Sequence, residues 1–208
     1  MFAKLQAALT PTPQPRTRKT PVPIQPDYTC NPVAIPPTFL TTRAPDSLPI
    51  TTTPIDFSTS PLPEYAGLYA VVLDHVLSPS ECATLLELAE ASVPETSKMR
   101  GEDGGPWGPA MVNVGGGYEV LEQGYRNGER IVWDCEEVVG RLWERCLQSE
   151  EVRRELAVVE EGSKVVGVGN GNGGRWEVKE VNDRMRFLRY GVGGFFRREF
   201  LFCFAFPG

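Results

Sequence analysis

The chain has 208 residues, with 21 Lys and Arg against 27 Asp and Glu and a single histidine, for a formal net charge of −6. That length holds one domain and a tail. The acidic balance argues against broad nucleic-acid affinity, which rests on neutralising phosphates. No stretch reaches the roughly 20 apolar residues of a membrane-spanning helix. Met1–Leu9 is apolar but shorter than a secretory core and lacks a cleavage context.

Fourteen of the 19 prolines lie at or before Pro63, interleaved with Thr and Ser. Proline lacks an amide donor, and such a run offers little apolar surface to offset chain entropy. Residues 1–63 are therefore expected to be a disordered, partly polyproline-like leader whose removal leaves the folded region's stability unchanged. The leader has five basic and three acidic side chains, a net of +2, so the remainder carries −8. Its cluster Arg16-Thr17-Arg18-Lys19 reads as a solvated tail. Five cysteines, odd in number and without C-x-x-C spacing, disfavour a zinc knuckle and a disulfide framework. The expected compartment is intracellular, cytoplasmic or nuclear.

Leu68–Asp74 is short, apolar and β-branched, the pattern of a buried strand. Ser78-Pro79-Ser80-Glu81 opens a helix, with Ser78 as N-cap, Pro79 at the first position and Glu81 completing a capping box. Cys82, Leu85, Leu86 and Ala89 fall at helical spacing and predict its packed face, and the helix is expected to end near Pro94. Residues 97–128 form a long Gly-rich connection with one strand near Ala110–Val114, and ordered loops of this length are often functional.

Arg130–Trp133 reads as another short strand. Asp134 is the expected N-cap of a second helix, whose stripe is Val138, Val139, Leu142, Trp143 and Cys146. A further helical piece is expected over 150–161. Gly167–Gly174 reads as a surface loop, since no Lys-Ser/Thr follows at phosphate-cradle spacing. Trp176–Val181 and Met185–Tyr190 alternate as strands do, with Met185 and Phe187 on one side and Arg186, Leu188 and Tyr190 on the other.

Three stretches carry a resemblance. Arg186-Phe187-Leu188-Arg189-Tyr190-Gly191-Val192-Gly193-Gly194-Phe195-Phe196-Arg197 resembles the run that leads into the iron site of prolyl-4-hydroxylase-like, 2-oxoglutarate- and Fe(II)-dependent dioxygenases. Gly124–Arg130 followed by Trp133-Asp134 and Arg141-Leu142-Trp143 is similar to a region of a fungal and protist branch of that family. Asn182–Phe187 is similar to its "N-RLRF" run. With the order of strand, capped helix, long loop, second helix and strand into a Gly turn, which the family's N-terminal half shares, the resemblance covers roughly Leu68 to Arg197.

The resemblance implies an α+β domain with a double-stranded β-helix (jelly-roll), preceded by flanking helices, holding Fe(II) and 2-oxoglutarate, with ascorbate sustaining the iron and a protein or small molecule as substrate. It places a co-substrate hydrogen bond on Tyr190; the residue also reads as a core aromatic with its hydroxyl at the rim. It places substrate contacts on Arg126 and Asn127, which also read as a polar loop. Gly191, Gly193 and Gly194 are expected to form a turn with positive φ. His75 reads as structural or solvent-facing.

The family's His-x-Asp pair would fall at Glu199 and Leu201, where the chain reads Arg198-Glu199-Phe200-Leu201. Its iron takes two His and a carboxylate, and one His75 cannot supply two ligands. No catalytic or metal residue is assigned, and no cofactor is expected to bind productively. The reading is a fragment or truncated isoform in which residues 64–197 are the N-terminal part of the domain, 198–208 a divergent apolar tail, and the jelly-roll incomplete. Uncovered apolar faces are expected to favour self-association. The alternative is a non-catalytic binding protein whose leader offers proline-rich ligands to aromatic grooves.

Overall fold

A computed structural model describes residues 21–160, 163, 165, 174–178 and 181–197. The strands are β1 (Thr51–Pro54), β2 (Val71–Asp74), β3 (Gly108–Pro109), β4 (Val112–Gly115), β5 (Tyr118–Val120), β6 (Arg126–Asn127), β7 (Glu129–Asp134), β8 (Val159–Glu160), β9 (Arg175–Trp176), β10 (Arg184–Arg189) and β11 (Phe195–Phe196). The helices are α1 (Pro79–Ala91), α2 (Glu136–Cys146) and α3 (Glu150–Ala157). The fold is α+β. Its sheets are small and antiparallel, and among the described residues they do not close into a barrel.

β7 is the axis. It pairs with β10 over six residues, from Arg184 opposite Asp134 to Arg189 opposite Glu129, and with β3 on its other edge. Strand alternation sends Ile131 and Trp133 to one face. There they join Met185 and Phe187 of β10 and meet Leu85 and Ala89 of α1, Val138 of α2 and Trp107 in one apolar core. The alternation expected for β10 is present, with Met185 and Phe187 against the core and Arg186 and Leu188 exposed.

α1 has the capping box its sequence specifies: the Ser78 hydroxyl accepts from the Glu81 amide, and the Ser78 amide donates to the Glu81 carboxylate at 2.8 Å. Its packed face is turned from the expected one. Glu81, Leu85 and Ala89 are buried while Cys82 and Leu86 are exposed, because the interior takes the carboxylate of Glu81 together with its partner Arg145.

Other boundaries differ as well. Asp134 does not cap α2; it ends β7 and holds Arg184 through two hydrogen bonds of 2.7 and 2.5 Å, so Cys135 occupies the cap without a side-chain bond. On α2 the fully buried positions are Val138, Val139 and Arg145, with Trp143 and Cys146 only partly covered. The helix expected over 150–161 ends at Ala157, and Val159–Glu160 turns into a strand paired with Arg175–Trp176. The strand expected over 176–181 appears only as β9, and residues 179 and 180, like 166–173 of the glycine-rich loop, lie outside the described residues. The strand expected at Leu68–Asp74 begins at Val71 and leaves Val72 45% exposed, since its one neighbour is β1.

The largest correction concerns the leader. Residues 1–20 lie outside the described residues, but 21–63, though largely exposed, are tied to the domain at several points. Ile24 and Glu119 exchange backbone hydrogen bonds of 2.8 and 2.9 Å, β1 pairs with β2, and Phe39 and Leu40 are buried in the core. Proline removes a donor but leaves its carbonyl. Arg141 accordingly donates to the carbonyls of Pro36 and Phe39, at 3.1 and 2.7 Å. A fixed φ also lowers the entropy lost on ordering, so a proline-rich chain can be stapled down without a ladder of its own.

The central staple is Arg145. Its guanidinium, 2% exposed, donates to both oxygens of Glu81 and to the carbonyls of Leu40, Thr42 and Val76, at 2.6 to 3.1 Å. Those five bonds match the five N–H donors of an arginine. Burial alone would raise the Glu81 carboxyl, but hydrogen bonds from Arg145 and Ser78 outweigh it and hold the group below its ordinary range. Nearby, the Ser80 hydroxyl and amide donate to Asp46 of the leader and hold that carboxyl down at about 2.

Three outcomes are expected. Phe39→Ala should cost about 3–5 kcal/mol in denaturant unfolding, and removing residues 1–61 should lower the thermal midpoint by many degrees. Arg145→Met should cost about 3–5 kcal/mol because it strands a buried carboxylate, and adding Glu81→Leu should recover part of that. Glu81, Asp46 and Asp134 all have lowered pKa values in the fold. Stability should thus be fully present above their unfolded pKa values of 4.5 and 3.8 and fall as pH drops through the folded ones. The Arg145→Met chain should lose the Glu81 share of that acid dependence.

Candidate functional site

The residues singled out in the sequence meet along one strand. Arg126–Asn127 and Glu129–Asp134 are two strands separated by Gly128, and two pieces of the same later segment pair with them. β10 covers residues 129–134 and β11 covers 126–127, with Phe195 opposite Asn127 and Phe196 opposite Arg126. Residues 190–194 bulge out between the two. The bulge closes with a hydrogen bond from the Gly194 amide to the Gly191 carbonyl at 2.9 Å, and Gly193 has φ of 77°, a conformation glycine adopts without strain. The positive φ expected of the turn is carried by Gly193.

Tyr190 sits where the chain leaves the ladder. Its ring lies over Gly128, so close that a Cβ there would come within 2.6 Å of it. The side chain remains 40% exposed, at the rim. Arg126 places its guanidinium 4.6 Å from the centre of the Phe196 ring and donates to the Met111 carbonyl at 3.3 Å. Tyr125 meets the same Phe196 edge-on at 5.5 Å. Asn127 uses its backbone in the β6–β11 ladder and has an exposed side chain. Tyr190 thus rests on Gly128, next in the chain to Asn127 and Arg126, while the Arg126 side chain is engaged by Phe196 and the Met111 carbonyl. His75 is elsewhere, exposed at the end of β2 with φ of 62°, and its carbonyl accepts from Arg43 at 3.2 Å.

A second polar cluster, absent from the sequence reading, lies on the face of β7 opposite the core. Arg130 donates to Glu119 at 2.5 Å and to the Tyr28 hydroxyl, which itself donates to Glu119 at 2.5 Å. Burial, and then the bond to Glu119, push the Tyr28 phenol well above its ordinary value. Arg184 also approaches the Tyr28 ring, at 5.8 Å. The cavity beside this cluster is about 20 Å³, room for one water, which marks a link between leader, β5 and β7 and leaves no space for a ligand. Residues 28, 119 and 130 are too far apart in the chain for any local pattern to signal them.

A wider groove of about 970 Å³ runs between α2 and residues 181–183, lined by Glu136, Glu137, Glu144, Arg141, Trp143 and Asp183. It does not include the three rim residues. Among the described residues no group of three or more His, Cys, Asp or Glu could hold a metal ion. Together with the single histidine of the sequence, the donors present do not fit a two-His-one-carboxylate iron site. Among the described residues no helix is long and apolar enough to cross a membrane.

No family model, no curated protein and no solved structure matches this chain.

The tight seat of Tyr190 on Gly128 gives a direct test. Gly128→Ala should destabilise the chain by about 1–3 kcal/mol, the range for forcing extra volume into a packed site. Tyr190→Ala in the same chain should return most of that loss, read as a coupling energy in a double-mutant cycle. The carbonyl of Arg189, 3.2 Å from the added methyl, accounts for what is not returned.

Proposed function

We propose that residues 64–197 are the N-terminal part of a prolyl-4-hydroxylase-like, 2-oxoglutarate- and Fe(II)-dependent dioxygenase domain, and that these 208 residues perform no turnover alone. The observation that carries the reading is the seat of Tyr190. A strand with one face on helices leads into a glycine turn that lifts a half-exposed phenol out of the ladder, beside Arg126 and Asn127. A phenol donor at such a rim is apt for a carboxylate of a 2-oxo acid. Asn127, with its exposed side chain, would contact substrate beside Gly128, and Arg126, which points to the other face of the strand, would contact it from there. In this reading β7 and β10 belong to the first sheet of a jelly-roll whose second sheet lies outside the described residues.

Iron has no place in the reading of this chain's own chemistry, since the donors do not fit it. Oxidation of a substrate C–H bond, with loss of carbon dioxide from 2-oxoglutarate and ascorbate to sustain the metal, belongs to a complete domain. What these residues contribute is the positioning of a co-substrate carboxylate and of a substrate segment.

Sequencing the full transcript past the Arg197 codon tests the family. A His-x-Asp coding stretch shortly downstream, in another frame or exon, is the expected result, and its absence would overturn the reading. The chain supplied with Fe(II), ascorbate and 2-oxoglutarate is expected to release no carbon dioxide above a metal-free control. Iron-dependent turnover that survives His75→Ala would refute the claim of inactivity, because it would require a ligand set that contains no histidine.

A further inference from the structure

We infer that the outer edge of β10 is a docking site for an extended peptide that adds to the sheet as a further strand, with an acidic residue opposite Arg186, an apolar residue opposite Leu188 and a second apolar residue reaching the Tyr190 ring just past the end of the strand. The inference does not depend on the dioxygenase reading. In the sheet order β10-β7-β3, β10 is the outer strand, and among the described residues its second edge pairs with nothing. A six-residue edge leaves a row of backbone donors and acceptors open to another chain.

The side chains on that strand separate into three roles. Met185 and Phe187 belong to the core. Arg184 and Arg189 are neutralised across the ladder, by Asp134 at 2.5 Å and by Glu129 at 2.7 Å. Arg186 is exposed and makes no ion pair among the described residues, although it lies on the same face as Leu188 and Tyr190, which are 45% and 40% exposed. An exposed cation that interacts with Asp134 only at longer range than an ion pair, beside two uncovered apolar side chains on this edge, favours an acidic and apolar strand.

A second copy added in parallel and in register fits badly, because it would set Arg186, which has no ion pair among the described residues, beside its own counterpart, and like charges facing each other across strands are unfavourable. That register is therefore disfavoured relative to a partner of opposite charge.

The probe is a labelled peptide with Glu, Val and Val at alternate positions separated by Thr, titrated against the full 208-residue chain by fluorescence anisotropy. Hydrogen exchange of the β10 amides is followed in parallel. Binding is expected, with slowed exchange at residues 184–189. Replacing the peptide's Glu by Lys, or making the surface change Arg186→Glu, should each weaken binding about tenfold, equivalent to about 1.4 kcal/mol. Combining the two changes should restore it. N-methylation of alternate peptide amides should abolish binding. Equal affinity for the Glu and Lys peptides, or no binding at all, would overturn the inference. So would slow exchange, without peptide, of those β10 amides that point away from β7, which would mean the edge is already covered, by this chain if independent of concentration and by a second copy if not.

Discussion

One guanidinium joins the parts of this fold that are remote in sequence. Arg145, on α2, is sealed from solvent and satisfied by Glu81 at the start of α1, by Val76 in the turn before it, and by Leu40 and Thr42 in the leader. A buried charge lacking any of these acceptors would be costly. The leader, the β2–α1 turn and both helices must therefore assemble together. The capping box contributes to the same knot, since the Glu81 carboxylate that closes it is also the counter-ion of Arg145. Helix initiation and tertiary assembly thus share one side chain.

From that knot the rest of the molecule takes its position. With α1 and α2 fixed, one face of β7 is covered by Leu85, Ala89 and Val138, and β10 is held in register by Met185 and Phe187 against the same core. The other face of β7 is closed by the leader through Tyr28 and Glu119 around Arg130. Both faces of β7 are thus covered, and the Gly128 that precedes it seats the Tyr190 ring. Tyr190 and, among the described residues, the unpaired edge of β10 are therefore carried next to a strand packed on both faces. A binding surface gains from such support, because less freedom is lost when a ligand orders it.

Local signals were legible wherever the physics is local. The capping box of α1 depends on residues three apart, and Ser78 and Glu81 form it as written. The alternation of β10 needs only a period of two, and Met185 and Phe187 obey it. The turn of Gly191–Gly194 needs a residue free to adopt positive φ, which Gly193 supplies. Tyr190, Arg126 and Asn127 stood out through their motifs, and Tyr190 rests on Gly128, next in the chain to the other two. The cluster of Tyr28, Glu119 and Arg130 could not stand out, because its members come from three separate segments.

What the sequence by itself determined is the existence of the helices and of the strands around β2, β4, β7 and β10, the start of α1, the core side of β10, and the lack of a second histidine for an iron site. The tertiary structure alone decided which faces are inside. Composition marked residues 21–63 as too rich in proline to pack, yet their carbonyls are the acceptors that two buried or half-buried arginines of α2 require. Helical periodicity pointed Cys82, Leu86 and Trp143 inward, yet the buried positions went to Glu81 and Arg145. Asp134 had the chemistry of an N-cap and was taken instead by Arg184, fifty residues away. In each case a polar group was buried or redirected because its partner came from a distant part of the chain, and pairing across such distances leaves no trace in local spacing.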